Sequence, residues 1–343
     1  MKKQMVFFAI LFAFTVCFVA APAPAAEKIV IKLAHVNPAE IYVSHMGAVA
    51  RAFKELVEAE SRDAIQVDLF PAGQLGGERE LTESTKLGTI QMCLVSGAMA
   101  GYCKPAMVLD IPYLFSSAPV AWKVLDGGFG QELANEILKN VGTRVLAYAE
   151  VGFRNFTNSK HVIKSPADMK GLKFRVQETP IYIALVKSLG ALPTAIAWPE
   201  TYGALQQKVV DGQENPVATI LQFKLYEVQK YLILDGHTYG AGFILINEKF
   251  YQGFSKENQN ILKRAALVAS NCGRGMQNLN SAVGISELKK NGVEVYSPTT
   301  AELKAFSQAT QGPVIDWMKT QVDQGWIKKV QAAVAKEEAA LNK

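Results

Sequence analysis

The amino-acid sequence predicts an α/β fold of two lobes. Three observations carry that expectation. Strands and amphipathic helices alternate in two successive rounds, the 343 residues are too many for one small core, and an export-type leader precedes the first strand. Apolar residues make up 49% and charged residues 20%, which excludes a disordered chain, a collagen-like fibre and a coiled coil. The formal charge of +5 includes Lys2 and Lys3 at the extreme N-terminus. So mild a balance gives little reason to expect nucleic acid or an acidic membrane as partner.

Lys2 and Lys3 open the leader with positive charge, and Met5 to Val19 is almost unbroken apolar sequence. Small residues at Ala23 and Ala25 fit cleavage after Ala25, or one residue later after Ala26. Residues 1–25 therefore read as a signal peptide. The competing reading, a membrane anchor, is disfavoured because Pro22 and Pro24 make a poor end to a membrane helix. No later run approaches about 18 apolar residues, so the mature chain is expected to be exported and soluble.

The first round opens with Ile29 to Val36, a buried strand broken by Asn37-Pro38. Val49, Phe53, Leu56 and Val57 then recur at helical spacing, with Arg51, Lys54, Glu55 and Glu58 opposite them. Ile65 to Phe70 alternates as a strand and ends at Pro71-Ala72-Gly73. Glu78 to Leu87 is a helix closed by Gly88, and Thr89 to Val95 is a third strand. This order predicts a parallel sheet covered by helices.

Arg144 to Val151 is a further strand, after which the second round begins. Leu172 to Val176 is a strand, Thr179-Pro180 opens a helix over Ile181 to Leu189, and Pro193 to Trp198 is a loop or short strand. Pro199 begins a helix to about Val209, Asp211-Gly212 is a turn, and Gly242 to Asn247 is a strand. From Ser255 the chain reads as mainly helical, with Val314, Trp317, Met318 and Val322 on one stripe. Ligands of such sheets bind at the carboxyl ends of strands, and the gap between two lobes is a common place for a small molecule.

Enzyme signatures are sparse. There is no GKS or GKT phosphate loop, no HExxH and no GxSxG, and the glycines at 127–130 and 240–242 do not complete GxGxxG. His35, His45, His161 and His237 lack metal-ligand spacing. No cofactor, metal or catalytic residue is therefore expected. Beyond the leader, Cys93, Cys103 and Cys272 form no CxxC; a Cys93–Cys103 bridge and plain buried thiols both remain open.

Basic and amide chemistry in apolar surroundings stands out instead. Arg175 lies inside a strand with Leu172, Phe174 and Val176, where a guanidinium is expensive unless it reaches solvent or a partner. It is either an edge-strand arginine or a group held on a rigid strand to receive a carboxylate through two parallel hydrogen bonds. Arg154 follows another strand end. Pro216 forces Asn215 toward an extended backbone, which can aim its amide at a ligand. Trp198 is either core or an aromatic wall.

Two stretches carry a family resemblance: Ser165-Pro166-Ala167-Asp168-Met169-Lys170-Gly171-Leu172-Lys173-Phe174-Arg175-Val176, and Thr201 to Pro216 ending Asp211-Gly212-Gln213-Glu214-Asn215-Pro216. Gly73 to Leu81, Asp110 to Phe115 and Tyr226 to Tyr231 support them in order along nearly the whole mature chain. The sequence resembles the DctP-like solute-binding proteins of tripartite ATP-independent periplasmic (TRAP) transporters.

The resemblance implies a two-lobed periplasmic binding protein fold, with a cleft between the lobes and a long connecting helix. The expected division is residues 26–150 with 240–279 in lobe 1, and 151–239 with 280–343 in lobe 2. It implies a small-molecule organic acid as ligand, with Arg175 making the main salt bridge, Asn215 assisting and Arg154 as a second arginine. Trp198 matches an aromatic that packs on the ligand. Glu78 and Ser96 match positions that vary with ligand chemistry, and His35, Asn37, Thr238 and Tyr239 are expected to line the cleft. The implied partners are the small and large membrane permease subunits, the implied compartment is the periplasm, and a monomer is the default. A binding protein of another uptake or sensing system, and a periplasmic enzyme acting on an organic acid, are the competing classes. C4-dicarboxylates, 2-oxo or 2-hydroxy acids, sugar acids and aromatic acids are all candidate ligands, with Trp198 tilting toward a bulkier monocarboxylate.

Overall fold

A computed structural model of the chain describes residues 28–341. The expected signal peptide and both of its cleavage positions lie outside the described residues. The first round of elements is β1 (Ile29–Ala34), α1 (His45–Glu60), β2 (Ile65–Phe70), α2 (Glu78–Leu87) and β3 (Met92–Val95). Each follows from local sequence. Ser44 caps α1, its hydroxyl accepting from the Gly47 N–H at 2.9 Å, and Val49, Phe53 and Val57 are all fully buried on one face. Burying each of those side chains is worth about 1.5–3 kcal/mol. Helix α2 stops where Gly88 turns left-handed at φ 80°.

Short helix α3 (Met99–Tyr102), α4 (Ala118–Asp126) and α5 (Gly128–Val141) lead into β4 (Thr143–Asn158). The second round is β5 (Lys173–Val176), α6 (Pro180–Ser188), β6 (Leu192–Ala195), α7 (Thr201–Gln206), β7 (Gly212–Asn215), α8 (Val217–Gln222) and β8 (Tyr231–Ile233). The chain returns through β9 (Thr238–Asn247) and α9 (Glu248–Gln252). It closes with α10 (Lys256–Lys290), β10 (Glu294–Tyr296), α11 (Thr300–Met318) and α12 (Gln324–Leu341).

The strands make two sheets joined by β4. One runs β2-β1-β3-β9-β4, with β1, β2 and β3 parallel and β9 antiparallel to both β3 and β4. The other contains β6, β5 and β7 on one side of the far end of β4, and β8 and β10 on the other. Strand β4 pairs with β9 from Thr143 to Arg154 and with β7 from Asn155 to Asn158. The change of partner follows an irregularity between Glu150 and Gly152, where Gly152 takes φ 101°. That conformation suits glycine, so the strand bends here instead of ending. The sequence expectation of a strand stopping at Val151 therefore falls short, and Arg154 lies inside a strand.

A second difference is β7. Gly212-Gln213-Glu214-Asn215 has no β-branched or aromatic residue and reads as turn and loop, yet every residue of it is buried and paired. The 35-residue α10 packs on α1 in the first lobe and α8 in the second. Helix α12 packs on α4 and α5, with Trp326 edge-on to Phe129 at 6.1 Å. The end of the chain thus rests on residues that the expected boundaries put in the other lobe. Cys93 and Cys103 are buried free thiols. Among the described residues no helix is long and apolar enough to cross a membrane.

Candidate functional site

The carboxyl ends of β1, β3, β5 and β7 converge on a cavity that encloses about 580 Å³ of empty space, its open mouth included. Seven of the ten expected residues line it: Asn37, Glu78, Ser96, Arg154, Arg175, Trp198 and Asn215. They come from segments on both sides of the cleft, so the site is completed only by tertiary packing.

Arg175 is the outstanding group. It sits on β5 between β6 and β7 and is 2% exposed. Its Nε donates to the Ile196 carbonyl at 2.9 Å, and Nη1 is buried without a partner. The guanidinium lies 5.3 Å from the centre of the Trp198 ring, which is braced edge-on by Phe223. No acid among the described residues lies within ion-pair range of it. Burial pulls its pKa down to about 10, and nearby Arg154 adds to that, partly offset by Glu214. A buried cation with an unused donor beside an open cavity is costly as it stands and is relieved by an incoming anion.

Arg154 is different. It is 1% exposed, but Glu214 on β7 engages its Nε and, at 2.8 Å, its Nη2. Nη2 also reaches the Glu214 carbonyl at 2.7 Å. The Gln177 amide, with its oxygen turned to the guanidinium, accepts from Nη1 at 2.9 Å. Behind Glu214 stands His237, whose Nδ1 meets Asp235 at 2.8 Å and whose Nε2 faces Glu214 at 3.4 Å. Burial lowers the His237 pKa, but Asp235 and Glu214 outweigh it and raise it to about 9. Burial alone raises Glu214, yet Arg154 and His237 hold it below the usual carboxylate range. Arg154 therefore lines the cavity with its charge already matched.

On the opposite wall, Glu78 opens α2 and Ser96 follows β3. The Glu78 carboxylate accepts the Ser96 N–H at 3.0 Å and the Ser96 hydroxyl at 2.8 Å. Enclosure by protein raises the Glu78 pKa against the pull of those hydrogen bonds. Asn215 Nδ2 donates to Gln213 Oε1 at 2.6 Å, which fixes the plane of the amide at the cavity.

Three expected residues lie elsewhere. His35 follows β1 at 1% exposure, and desolvation holds its pKa down at about 4. It is a neutral imidazole packed behind the wall, and His45 takes the position at the cavity. Tyr239 is 2% exposed, its ring edge-on to Phe115 at 5.5 Å and to Phe153 at 5.4 Å. There it fills core, as large aromatics do inside a sheet. Thr238 does not line the cavity either. Sequence reasoning missed Gln177, Glu178, His45 and Thr219 at the wall and Glu214 behind it. Gln177 was within reach, since it lies two residues from Arg175 and so on the same strand face.

Across the mouth, Arg79 of α2 approaches Glu178 at 3.8 Å. A Cβ placed on Gly77 would lie 3.8 Å from the Ala197 methyl, so the two walls touch. Among the described residues no group of three or more His, Cys, Asp or Glu is arranged to hold a metal.

Residues 33–320 match the model of the bacterial extracellular solute-binding protein family 7 (DctP). The chain belongs to the DctP family. It is 36% identical over 80% of its length to the 2,3-diketo-L-gulonate-binding periplasmic protein of Escherichia coli, covering 84% of that protein. It is 31% identical over 90% of its length to the C4-dicarboxylate-binding periplasmic protein of Rhodobacter capsulatus, covering 92% of it. Among solved structures, a TRAP periplasmic solute-binding protein of a Polaromonas species bound to D-erythronate superposes with a TM-score of 0.84. The identity there is 34%, over 90% of this chain and 98% of the other. The two lobes, the cleft and the long helix are thus those of a DctP-family solute-binding protein, and members of this family bind solutes rather than transform them.

Proposed function

We propose that this protein, exported to the periplasm and cleaved near Ala25 or Ala26, captures an organic acid and delivers it to a membrane permease of small and large subunits. The observation that carries the reading is Arg175: a buried guanidinium on a rigid strand, with Nη1 unpaired and no acid among the described residues within ion-pair range. The carboxylate would pair with Arg175 and be steadied by Asn215, with Trp198 covering one face. Groups of the first lobe would then close on the distal end, so that contacts present only in the closed state select the ligand. The reading divides the chain into lobe 1, residues 26–150 with 240–279, and lobe 2, residues 151–239 with 280–343, with α12 packing on α4 and α5 of lobe 1. The protein is expected to work as a monomer. The sugar-acid, diketo-acid and dicarboxylate ligands named for relatives support the carboxylate reading without choosing between them.

The test is thermal unfolding of the mature protein, refolded to strip bound ligand, against a library of organic acids. A ligand at about 100 times its Kd adds about 2.7 kcal/mol, a rise of roughly 4 °C for a chain this size. One chemical class giving that shift supports the reading. Uniform silence across carboxylates, or conversion of the acid to a product, counts against it.

A further inference from the structure

Beside the cavity, and outside its wall, the two lobes as divided above meet through a buried hydrogen bond. Asp110 ends the 3-10 helix Lys104–Asp110 of the first lobe, and Tyr182 lies in the first turn of α6 in the second. The Tyr182 hydroxyl donates to Asp110 Oδ1 at 2.9 Å. Asp110 is 6% exposed and Tyr182 1%, and neither lines the cavity. The lobes also touch here at Gly97, where a Cβ would lie 3.4 Å from the Tyr182 ring.

Asp110 is a costly carboxyl to bury. Among the described residues no cation is within ion-pair range of it, and its side-chain hydrogen bond comes from the other lobe. On its own side, Gly97, Ala100, Ala241 and Phe243 offer no charge around a small cavity of about 200 Å³. The titratable and charged groups that face it are Tyr182 on α6, Arg154 on β4, Glu214 on β7 and Glu78 on α2. Arg154 is already engaged by Glu214, and the two glutamates oppose a further negative charge. Burial therefore outweighs Tyr182 and Arg154, and the Asp110 pKa rises to about 7. Parting the lobes returns water to the carboxylate. Closing them removes that water and gives back a single hydroxyl.

We propose that Asp110 and Tyr182 form a proton-sensitive gate between the lobes: ionised Asp110 resists closure, protonated Asp110 permits it, and the pair sets ligand affinity without touching the ligand. The inference rests on the reading that the lobes close around an acid held by Arg175. Its sign follows from linkage. The closed state holds the Asp110 proton up to about pH 7, whereas a solvated aspartate releases it near pH 4. Closure is thus fully favoured below that window and loses ground as pH rises through it.

The experiment is calorimetric titration of the refolded mature protein at pH 6 and pH 8. The probes are D-erythronate, D-galactonate and tartrate, which stay ionised over that range. An acid that binds is expected to bind roughly tenfold tighter at pH 6. Asp110→Asn, neutral and still able to accept from Tyr182, is expected to bind tenfold or more tighter than the parent at pH 8, equally at both pH values. Tyr182→Phe keeps the charge and loses the hydroxyl, and is expected to bind threefold or more weaker at pH 8. A parent affinity that does not rise at pH 6 overturns the gate, as does an Asp110→Asn profile parallel to the parent's. A gain in Asp110→Asn with Tyr182→Phe unchanged overturns it too, since a plain field effect on Arg175 would do the same. Arg175→Ala is titrated in parallel. If it loses binding while Asp110→Asn behaves as the parent, only the gate fails. If it binds as the parent does, or none of the three acids binds the parent, the carboxylate reading beneath the gate fails as well. Unchanged circular dichroism of both ligand-free gate variants separates these effects from misfolding.

Discussion

Arg154 and Glu214, on neighbouring antiparallel strands, grip each other at two points inside the protein, with neither side chain more than 1% exposed. The pair turns one of the cavity's two arginines into scaffold and leaves the other, Arg175, with an unpartnered Nη1. Breaking a buried pair by removing one partner costs about 3–5 kcal/mol, because the survivor is left charged and unmatched. Glu214→Gln is therefore expected to lower the melting temperature of the ligand-free protein by roughly 5–10 °C. A melting curve superimposable on the parent's would show that the pair is not needed for the fold.

Arg175 should behave in the opposite way. Without ligand it is a desolvated cation with an idle donor. Arg175→Ala is expected to cost about 2–5 kcal/mol of ligand affinity while leaving the ligand-free melting temperature equal or higher. Arg175→Lys keeps the charge but not the planar fork, and is expected to fall between parent and alanine variant. Titration and unfolding of the three proteins side by side check both halves; a loss of stability that tracks the loss of affinity contradicts them.

Closure has its own test at Gly97. A Cβ there collides with the end of the Gln177 side chain and lies 3.4 Å from the Tyr182 ring. Gly97→Ala forces Gln177 away from Arg154 or props the walls apart, at about 1–3 kcal/mol. Weaker ligand binding is expected, together with a larger radius of gyration by solution scattering in the presence of ligand. A variant that binds weakly yet scatters identically to the parent would place the damage in the pocket instead of in closure.

The His237 proton gives a pH signature. Facing Asp235 and Glu214, with Arg154 beyond, the imidazole keeps its proton up to about pH 9 in the fold. Unfolded, it releases the proton near pH 6.5. Below that both states are protonated and the full stabilisation is present; above it only the folded state holds the proton. Stability should therefore fall as pH rises from 6.5 to 9, by up to about 3 kcal/mol. Chemical denaturation across that window should show the decline in the parent and a flatter profile in His237→Gln.

The first round of the fold was readable because its periods are clean. Val49, Phe53 and Val57 mark a helix, and Ile65 to Phe70 marks a strand, in sequence as in structure. What escaped was structure fixed by distant partners. Gly152 looks like a strand end until β9 and β7 are there to take successive halves of β4. Gln213 and Glu214 look like loop because their polar groups are satisfied by Thr157 and Arg154 from another strand. At the site, the motifs marked which strand ends converge. They did not say which way a side chain turns at a strand end, and so His35 and Tyr239 were expected at the cavity. They also could not show that Arg154 was already matched, since that depends on a residue 60 positions away.

Strand β4 is 16 residues long and belongs to both sheets. Neither lobe can be excised without stripping a strand of its neighbour and opening a raw edge. A chain wired in this way has little room for one half to melt while the other stands. The two lobes, proposed to close around a ligand, should denature as one body, in a single cooperative step.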